Sequence, residues 1–580
     1  MAQTQRASAR DSDYGHTDHG GRSAERGGLM IRLFKFKGGV KPDANKTQST
    51  QLPIAQAPLV KRYVVPLHQS VGGMPRPTVH VGDYVLKGQR IGEADGWVSA
   101  AVHAPASGTV IEVGPHIMPH PSGLPTDCVV IEADGQDTWI ERTPFDINNA
   151  SADAVRDYLR DMGIVGMGGA VFPSHVKLSV PRGKQIEQLI INGAECEPFI
   201  TCDDRLMQEQ AREVVQGSAL FGKLLNAGQV LIGVEDNKPD AIAALKTAQQ
   251  ALNAPVEVVT VPTTYPTGGA KELIRVLTGK EVPASKRSTD FSVQVFNVAT
   301  VQSAWRAITY GEPLISRIVT LSGNVGEPRN WSVPIGMPIG ELVALAGPLP
   351  DTNGIVMGGP MMGFRVPTPD APVIKATNCL LAHSVALFPP KPPEQQCIRC
   401  GSCALACPQE LQPFELYWWS RASKFDKLEN YKLFDCIECG CCDYVCPSHI
   451  PLVNYFRFAK SEIQAAERAQ DAADSARERF EFREARAERE KREKAERLAK
   501  ANAARQAAGN TLTGAPTASV PTAADATTSS PTDKPVLNHE QATTPVGVDT
   551  HPVLDAATKQ AAIAAAIEQA RARRENHNKH

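Results

Sequence analysis

Residues 397–408 read C-I-R-C-G-S-C-A-L-A-C-P, and residues 436–447 read C-I-E-C-G-C-C-D-Y-V-C-P. Each is the run C-x2-C-x2-C-x3-C-P, a spacing that holds a [4Fe–4S] cluster. Each iron of such a cluster takes one soft thiolate from the protein. Two intervening residues let three of the sulfurs converge from one loop. A zinc site draws its cysteines as two separated pairs, so a triplet closed by Cys-Pro, found twice, reads as iron–sulfur. Cys441 stands outside the pattern and reads as a packed thiol.

The repeated run is similar to that of bacterial two-cluster ferredoxins, where the fourth cysteine of each run crosses to the other cluster. The resemblance implies Cys397, Cys400, Cys403 and Cys446 for one cluster, and Cys436, Cys439, Cys442 and Cys407 for the other. The spacer, residues 408–435, contains P-F-E-L-Y-W-W-S-R-A, apolar at helical spacing. A spacer of this kind suits an α-helical two-cluster domain, with Trp418 and Trp419 as core.

Composition bounds the remainder. The 580 residues carry 61 basic and 63 acidic side chains, a net charge of −2, so no bulk field argues for nucleic acid. At a soft ~150 residues per domain the chain holds about four. Thirteen cysteines, mostly within the two runs, point to a reducing compartment. No apolar run approaches the ~18 residues of a membrane helix, and residues 1–28 lack the apolar centre of a secretory signal. Membrane attachment is therefore expected through partners.

Residues 1–28, polar and rich in Gly and Ser, read as disordered. Residues 29–149 alternate short apolar runs (62–67, 78–81, 108–113) with Gly and Pro, the pattern of a small β domain. V-H-V-G-D-Y-V-L-K-G-Q-R-I-G-E at 79–93 and V-H-A-P-A-S-G-T-V at 102–110 resemble the barrel-sandwich fold of biotinyl and lipoyl carriers. The turn between them, A-D-G-W-V-S-A-A, has no lysine to carry a prosthetic arm, so the domain reads as structural.

Residues 150–312 alternate strand and helix patterns. Helical spacing over 152–162 leads into G-I-V-G-M-G-G-A-V-F-P-S-H-V-K-L at 163–178, whose glycines let backbone N–H groups approach a phosphate or a flat ring. Apolar residues 188–191 predict a buried strand that runs into N-G-A-E-C-E-P-F-I at 192–200. Further strands are predicted at 230–234 and 256–261, with helices over 205–226 and 238–252, so the sheet is parallel. Y-P-T-G-G-A at 265–270 precedes an amphipathic helix, and F-N-V-A-T-V at 296–301 another. If strand alternation continues past Asn192, Glu195 and Glu197 face one side and Cys196 the other.

The ordered motifs G-M-G-G-A-V-F-P, N-G-A-E-C-E-P, Y-P-T-G-G and N-V-A-T resemble the flavoprotein subunit of respiratory complex I, which binds FMN and NADH in one cleft. With the front β domain and the cysteine runs, residues 30–460 resemble the C subunits of the Rnf (Rsx) electron-transport complexes. The resemblance implies Gly166, Gly168 and Gly169 along the flavin, Phe172 toward the nicotinamide and Lys177 at the FMN phosphate. It implies Asn192 and Glu195 as FMN contacts, Glu197 reaching NAD(H), Gly268 in the cleft, and Asn297 and Thr300 at the phosphate end. The complex I family has arginine where Met167 stands, aspartate where Ala194 stands, and two acids where Gly269 and Ala270 stand.

Residues 313–390 resemble the β-grasp (SLBB) domain of the same families, read as a scaffold or a wall of the electron path. Residues 391–455 form the two-cluster domain. Residues 456–508 are rich in Ala, Glu, Lys and Arg with opposite charges at i, i+4, a solvated helix. Residues 509–552 read as a disordered linker and 553–580 as a short helix, a tether for partners or membrane surface.

The expected protein is an α/β multidomain, NADH-linked oxidoreductase subunit carrying FMN and two [4Fe–4S] clusters. The resemblance implies ferredoxin-like and integral membrane subunits as partners and a peripheral place on the cytoplasmic side of the inner membrane. Three alternatives stand beside it: a soluble NADH dehydrogenase or hydrogenase-type subunit, a flavin-free iron–sulfur relay, and a carrier-type transferase component.

Overall fold

The computed structural model describes residues 23–24, 31–180 and 183–509. Expectations for residues 510–580, and for residues 1–28 apart from 23–24, fall outside them. Ser23–Ala24 is a short strand paired antiparallel with Ile31–Arg32.

The strands Gln188–Gly193, Gln229–Glu235, Glu257–Val261 and Val293–Asn297 form a parallel sheet. Gln188–Gly193 sits between Gln229–Glu235 and Val293–Asn297, and Glu257–Val261 is at one edge. Alternation sorts its side chains: Leu189 and Ile191 enter one core and Ile190 the other. The helix predicted over 205–226 is two helices, Cys202–Glu209 and Ala211–Leu225. Gln210 leaves helical geometry at φ −124°, and its side-chain oxygen accepts from Gln302 Nε2 at 2.8 Å.

The front domain has two sheets. Arg62–Pro66, Pro125–Ala133, Gly108–Ile117 and Tyr84–Val85 make one, and Arg76–Pro77, Arg90–Glu93 and Val102–His103 the other. The strand predicted at 78–81 is a turn, because the Asp83 carboxylate accepts from the His80 N–H at 2.8 Å. The third domain is a six-stranded mixed sheet that takes Ala55–Gln56 as its edge strand beside Arg329–Pro334. One apolar core serves both: Val65, Val110 and Ile131 pack with Val319, Leu321 and Leu380.

Residues 33–40 lie along the parallel-sheet domain. Leu33 joins its core, the Phe34 N–H donates to Val276 O at 2.9 Å, and Val40 pairs with Tyr265. Lys375 joins three segments from within: its buried ammonium donates to Ala101 O at 3.2 Å and Gly163 O at 2.7 Å.

The cysteine runs sit on short helices around a core of Leu416, Tyr417, Leu428, Leu433 and Phe456. The spacer is helical at Pro413–Arg421 and Phe425–Asn430, and Trp418 and Trp419 pack partly buried against that core. One helix, Leu452–Gly509, follows. Its first turns bury Val453, Phe456, Ala459 and Ile463 in the cluster domain. The chain divides into two units, Met1–Glu481 and Phe482–His580, and this helix runs from the first into the second. No helix among the described residues is long and apolar enough to cross a membrane.

Candidate cofactor cavities

The eight run cysteines line two small cavities. Cys397, Cys400, Cys403 and Cys446 share one with Phe414, Ile450 and Leu452. Cys407, Cys436, Cys439 and Cys442 share the other with Leu411, Leu416 and Phe456. Each run therefore sends its last cysteine to the other run's triplet. Four thiols with an apolar surround are the donor set of a [4Fe–4S] centre, so the residues fit the group. Cys441, fully buried, also lines the second cavity, beside Cys439.

A third cavity of ≈ 680 Å³ opens at the carboxyl ends of the parallel strands, where such sheets bind ligands. The sequence-predicted cofactor residues all line it: Gly166, Gly168, Gly169, Phe172, Lys177, Asn192, Glu195, Glu197, Gly268, Asn297 and Thr300. The volume lies within the ~300–1,000 Å³ of ligand pockets. Gly169 adopts φ +109°, open to glycine, and a Cβ there would meet no atom. This bare backbone admits a flat ring, so the cavity fits a flavin.

Thr300 and Asn297 hold the glycine loop and its neighbours. The Met167 N–H donates to Thr300 Oγ1 at 2.8 Å. Asn297 Nδ2 donates to Asp203 Oδ2 at 2.6 Å while its Oδ1 caps the following helix at Ala299 N. Asn192 Nδ2 donates to Gly268 O at 2.9 Å, tying two of the motifs together. Lys177, read as a phosphate ligand, is turned into the wall. Its Nζ donates to Val295 O and lies 4.5 Å from the centre of the Phe296 ring, and burial pushes its pKa down to about 8.

The expected alternation of Glu195, Cys196 and Glu197 does not occur. The strand ends at Gly193, the backbone turns, and Ala194, Glu195, Cys196 and Glu197 all line the cavity. Glu195 accepts from the Asp203 N–H at 2.9 Å and the Asp204 N–H at 3.4 Å, in the first turn of Cys202–Glu209. Burial raises its pKa, Lys46 opposes, and Asp203 adds to the rise. Glu197 Oε1 accepts from Met361 N at 2.8 Å and Met362 N at 3.1 Å, so its carboxylate braces a loop of the third domain. Burial raises its pKa as well. Gly359 makes this approach possible, since a Cβ there would collide with the Glu197 side chain.

Several residues at the site escaped the sequence reading. Lys46, from the N-terminal segment, fixes the backbone behind the cavity wall, donating to Glu197 O at 2.9 Å and to Ile200 O. Nothing in its local sequence marks it. Met357, Gly358, Gly359 and Met362 come from M-G-G-P-M-M-G at 357–363, whose glycines were a usable signal. Glu272, buried on the helix Ala270–Thr278, brings a carboxylate to the cavity one turn beyond Gly269 and Ala270. A Cβ at Gly269 would collide with it. Ile437 and Cys439 also line this cavity, and both border the second cysteine cavity too.

Comparison with known proteins follows this architecture. Residues 34–136 match the RnfC Barrel sandwich hybrid domain, 159–306 the Nuo51 FMN-binding domain, 318–365 the SLBB domain and 396–450 the 4Fe-4S dicluster domain. The molecule is thus a modular flavin and iron–sulfur redox protein. The C subunit of the ion-translocating oxidoreductase complex of Pasteurella multocida (strain Pm70) is 47% identical over 447 residues, 76% of this chain and 53% of that protein. Its Pseudomonas aeruginosa (strain PAO1) counterpart is 48% identical over 438 residues, 75% of this chain and 56% of that one. Over three quarters of its length this chain is similar to that family of C subunits, and the match spans little more than half the length of these two relatives. An NAD+-reducing [NiFe]-hydrogenase in its H2-reduced state aligns at 18% identity and a TM-score of 0.39, over 53% of this chain and 61% of its own.

Proposed function

We propose that the chain is the NADH-facing subunit of a membrane-bound, ion-coupled electron-transport complex. The observation that carries this reading is the shared wall: the flavin cavity and the second cysteine cavity both reach Cys439. Bound FMN would supply the conversion between a two-electron hydride donor and one-electron clusters. The chain's own residues bind and orient. The Gly166–Gly169 loop, Asn297 and Thr300 seat the flavin. Glu197, braced by Met361 and Met362, offers a carboxylate to the dinucleotide, and Glu272 stands near the missing acids, which weakens the case for a flavin-free relay. Cys407, Cys436, Cys439 and Cys442 hold the nearer cluster; Cys397, Cys400, Cys403 and Cys446 hold the farther one.

The farther site supports a partner there. Cys400 is exposed, and it is flanked by Ile398 at 69% and Leu405 at 81% exposure, the two most exposed large apolar side chains among the described residues. A one-electron subunit of the complex docks on this face, and membrane attachment comes through such partners. Anaerobic purification with iron, sulfide and FMN quantitation tests the reading, followed by NADH addition. The expected result is stoichiometric FMN, iron for two clusters, and bleaching of both chromophores by NADH. Cluster absorbance without extractable flavin would overturn it.

A further inference from the structure

Tyr265 lies between the two neighbouring sites. Its ring is buried at 3% exposure, lines the flavin cavity, and packs in a small apolar cluster with Val40, Ala406, Cys439 and Cys441. Its hydroxyl donates to the backbone carbonyl of Cys439 at 2.6 Å, across 174 residues of sequence. The backbone around Tyr265 is fixed from both sides: the Tyr265 N–H donates to Val40 O at 3.0 Å, and Tyr265 O accepts from the Val40 N–H at 2.9 Å. The Gly39 N–H in turn donates to Ala406 O at 3.0 Å, next to Cys407. Residues 39–40 thus tie the Tyr265 loop and the Cys407 loop together. On the cavity side the phenol lies beside the Glu197 carboxylate, which is itself held by the third domain.

A short hydrogen bond to the carbonyl of a ligand cysteine acts on a cluster in two ways. It fixes the ligand loop, and so the distance to whatever occupies the neighbouring cavity. It also withdraws charge from that cysteine, and hydrogen bonding and burial are levers on cluster potential. We propose that Tyr265 is a positioning residue that couples the flavin cavity to the cluster of Cys407, Cys436, Cys439 and Cys442, through its hydroxyl bond to the Cys439 carbonyl. It acts through Cys439 and holds no iron itself. The other four-cysteine cavity has no such contact with the flavin domain in its lining, so the effect is confined to one cluster.

The inference rests on the proposed flavin and cluster occupancy, and the test separates the two. Tyr265→Phe keeps the ring and removes the donor. In the anaerobically purified full chain, FMN and iron contents report occupancy, and EPR-monitored redox titration reports each cluster. With both cofactors at wild-type content, the nearer cluster's potential falls. Its equilibrium share of the electron drops about fivefold, the worth of one hydrogen bond, while the farther cluster does not move. In stopped-flow, the flavin-to-cluster step slows relative to reduction of the flavin by NADH. Unchanged potential and unchanged transfer with both cofactors bound would overturn the proposal. If the phenylalanine chain loses the cluster, 3,5-difluorotyrosine at 265 decides, since it keeps the bond and strengthens the donor. The nearer cluster's potential then rises, and an unmoved potential overturns the proposal. Wild-type protein lacking FMN would instead sink the occupancy reading.

Discussion

The two cysteine cavities share a spacing and differ in every neighbour. One is enclosed: Cys439 and Cys442 are buried, Cys441 is fully so, and the flavin cavity touches it. The other lies near the surface, with Cys400 exposed between two exposed apolar side chains. Identical ligand spacing therefore yields one interior site and one surface site. Solvent exposure and hydrogen bonding tune cluster potential, so the two centres should differ in potential despite equal ligands. The motif sets which atoms bind iron, and its placement sets what each cluster exchanges electrons with.

The strongest test of this contrast removes the ligand that crosses. Cys407→Ala should abolish the enclosed cluster with Cys436, Cys439 and Cys442, leave the exposed cluster's EPR signal, and stop electrons at the flavin. Loss of the exposed cluster instead would reverse the pairing. A surface change should do the opposite. Leu405→Asp should keep FMN, iron content and NADH-driven cluster reduction while weakening transfer to the membrane partners, measured in reconstituted membranes. Equal coupling in that variant would place the exit elsewhere.

Glu197→Gln probes the flavin side of the shared wall. The amide keeps an oxygen for the Met361 and Met362 N–H groups but lacks the charge. KM for NADH should rise about tenfold, the worth of one charge-assisted bond, at normal flavin and iron content. Unchanged NADH kinetics would make Glu197 a brace for the third domain alone.

The domain junction should respond to pH. Burial pulls the Lys375 ammonium down to about 7 from its ordinary 10.5. Between those values the unfolded chain binds the proton that the folded chain has lost, so stability contributed by this group rises with pH across that window. Lys375→Met should flatten the rise in melting temperature between pH 7 and pH 9, whatever its effect on stability itself. A slope identical to wild type would remove Lys375 as its source. The smallest effect is expected from a cut after Glu481, which spares Phe456, Ala459 and Ile463 in the cluster core. Iron and FMN content should match the full chain, and loss of either would give the second unit a role in the cavities.

Much of this architecture was legible in the chain as written. The cysteine runs carry their ligand set in local spacing, because three sulfurs converge from one loop whatever surrounds it. The parallel sheet was legible because buried strands read as apolar runs, and the glycine loop because bare backbone has no substitute. Tertiary structure alone decided the rest. Whether Cys196 joins Glu195 and Glu197 at the cavity depended on the strand ending at Gly193, and that end is set by partners on other elements. Lys46 and the Met361–Met362 amides reach Glu197 from more than 150 residues away in sequence, and Tyr265 reaches Cys439 from 174. No local period encodes such contacts, since they arise only when separately folded segments pack. The order of the two clusters belongs to the same class, because equal motifs become unequal sites only through what the folded chain lays against them.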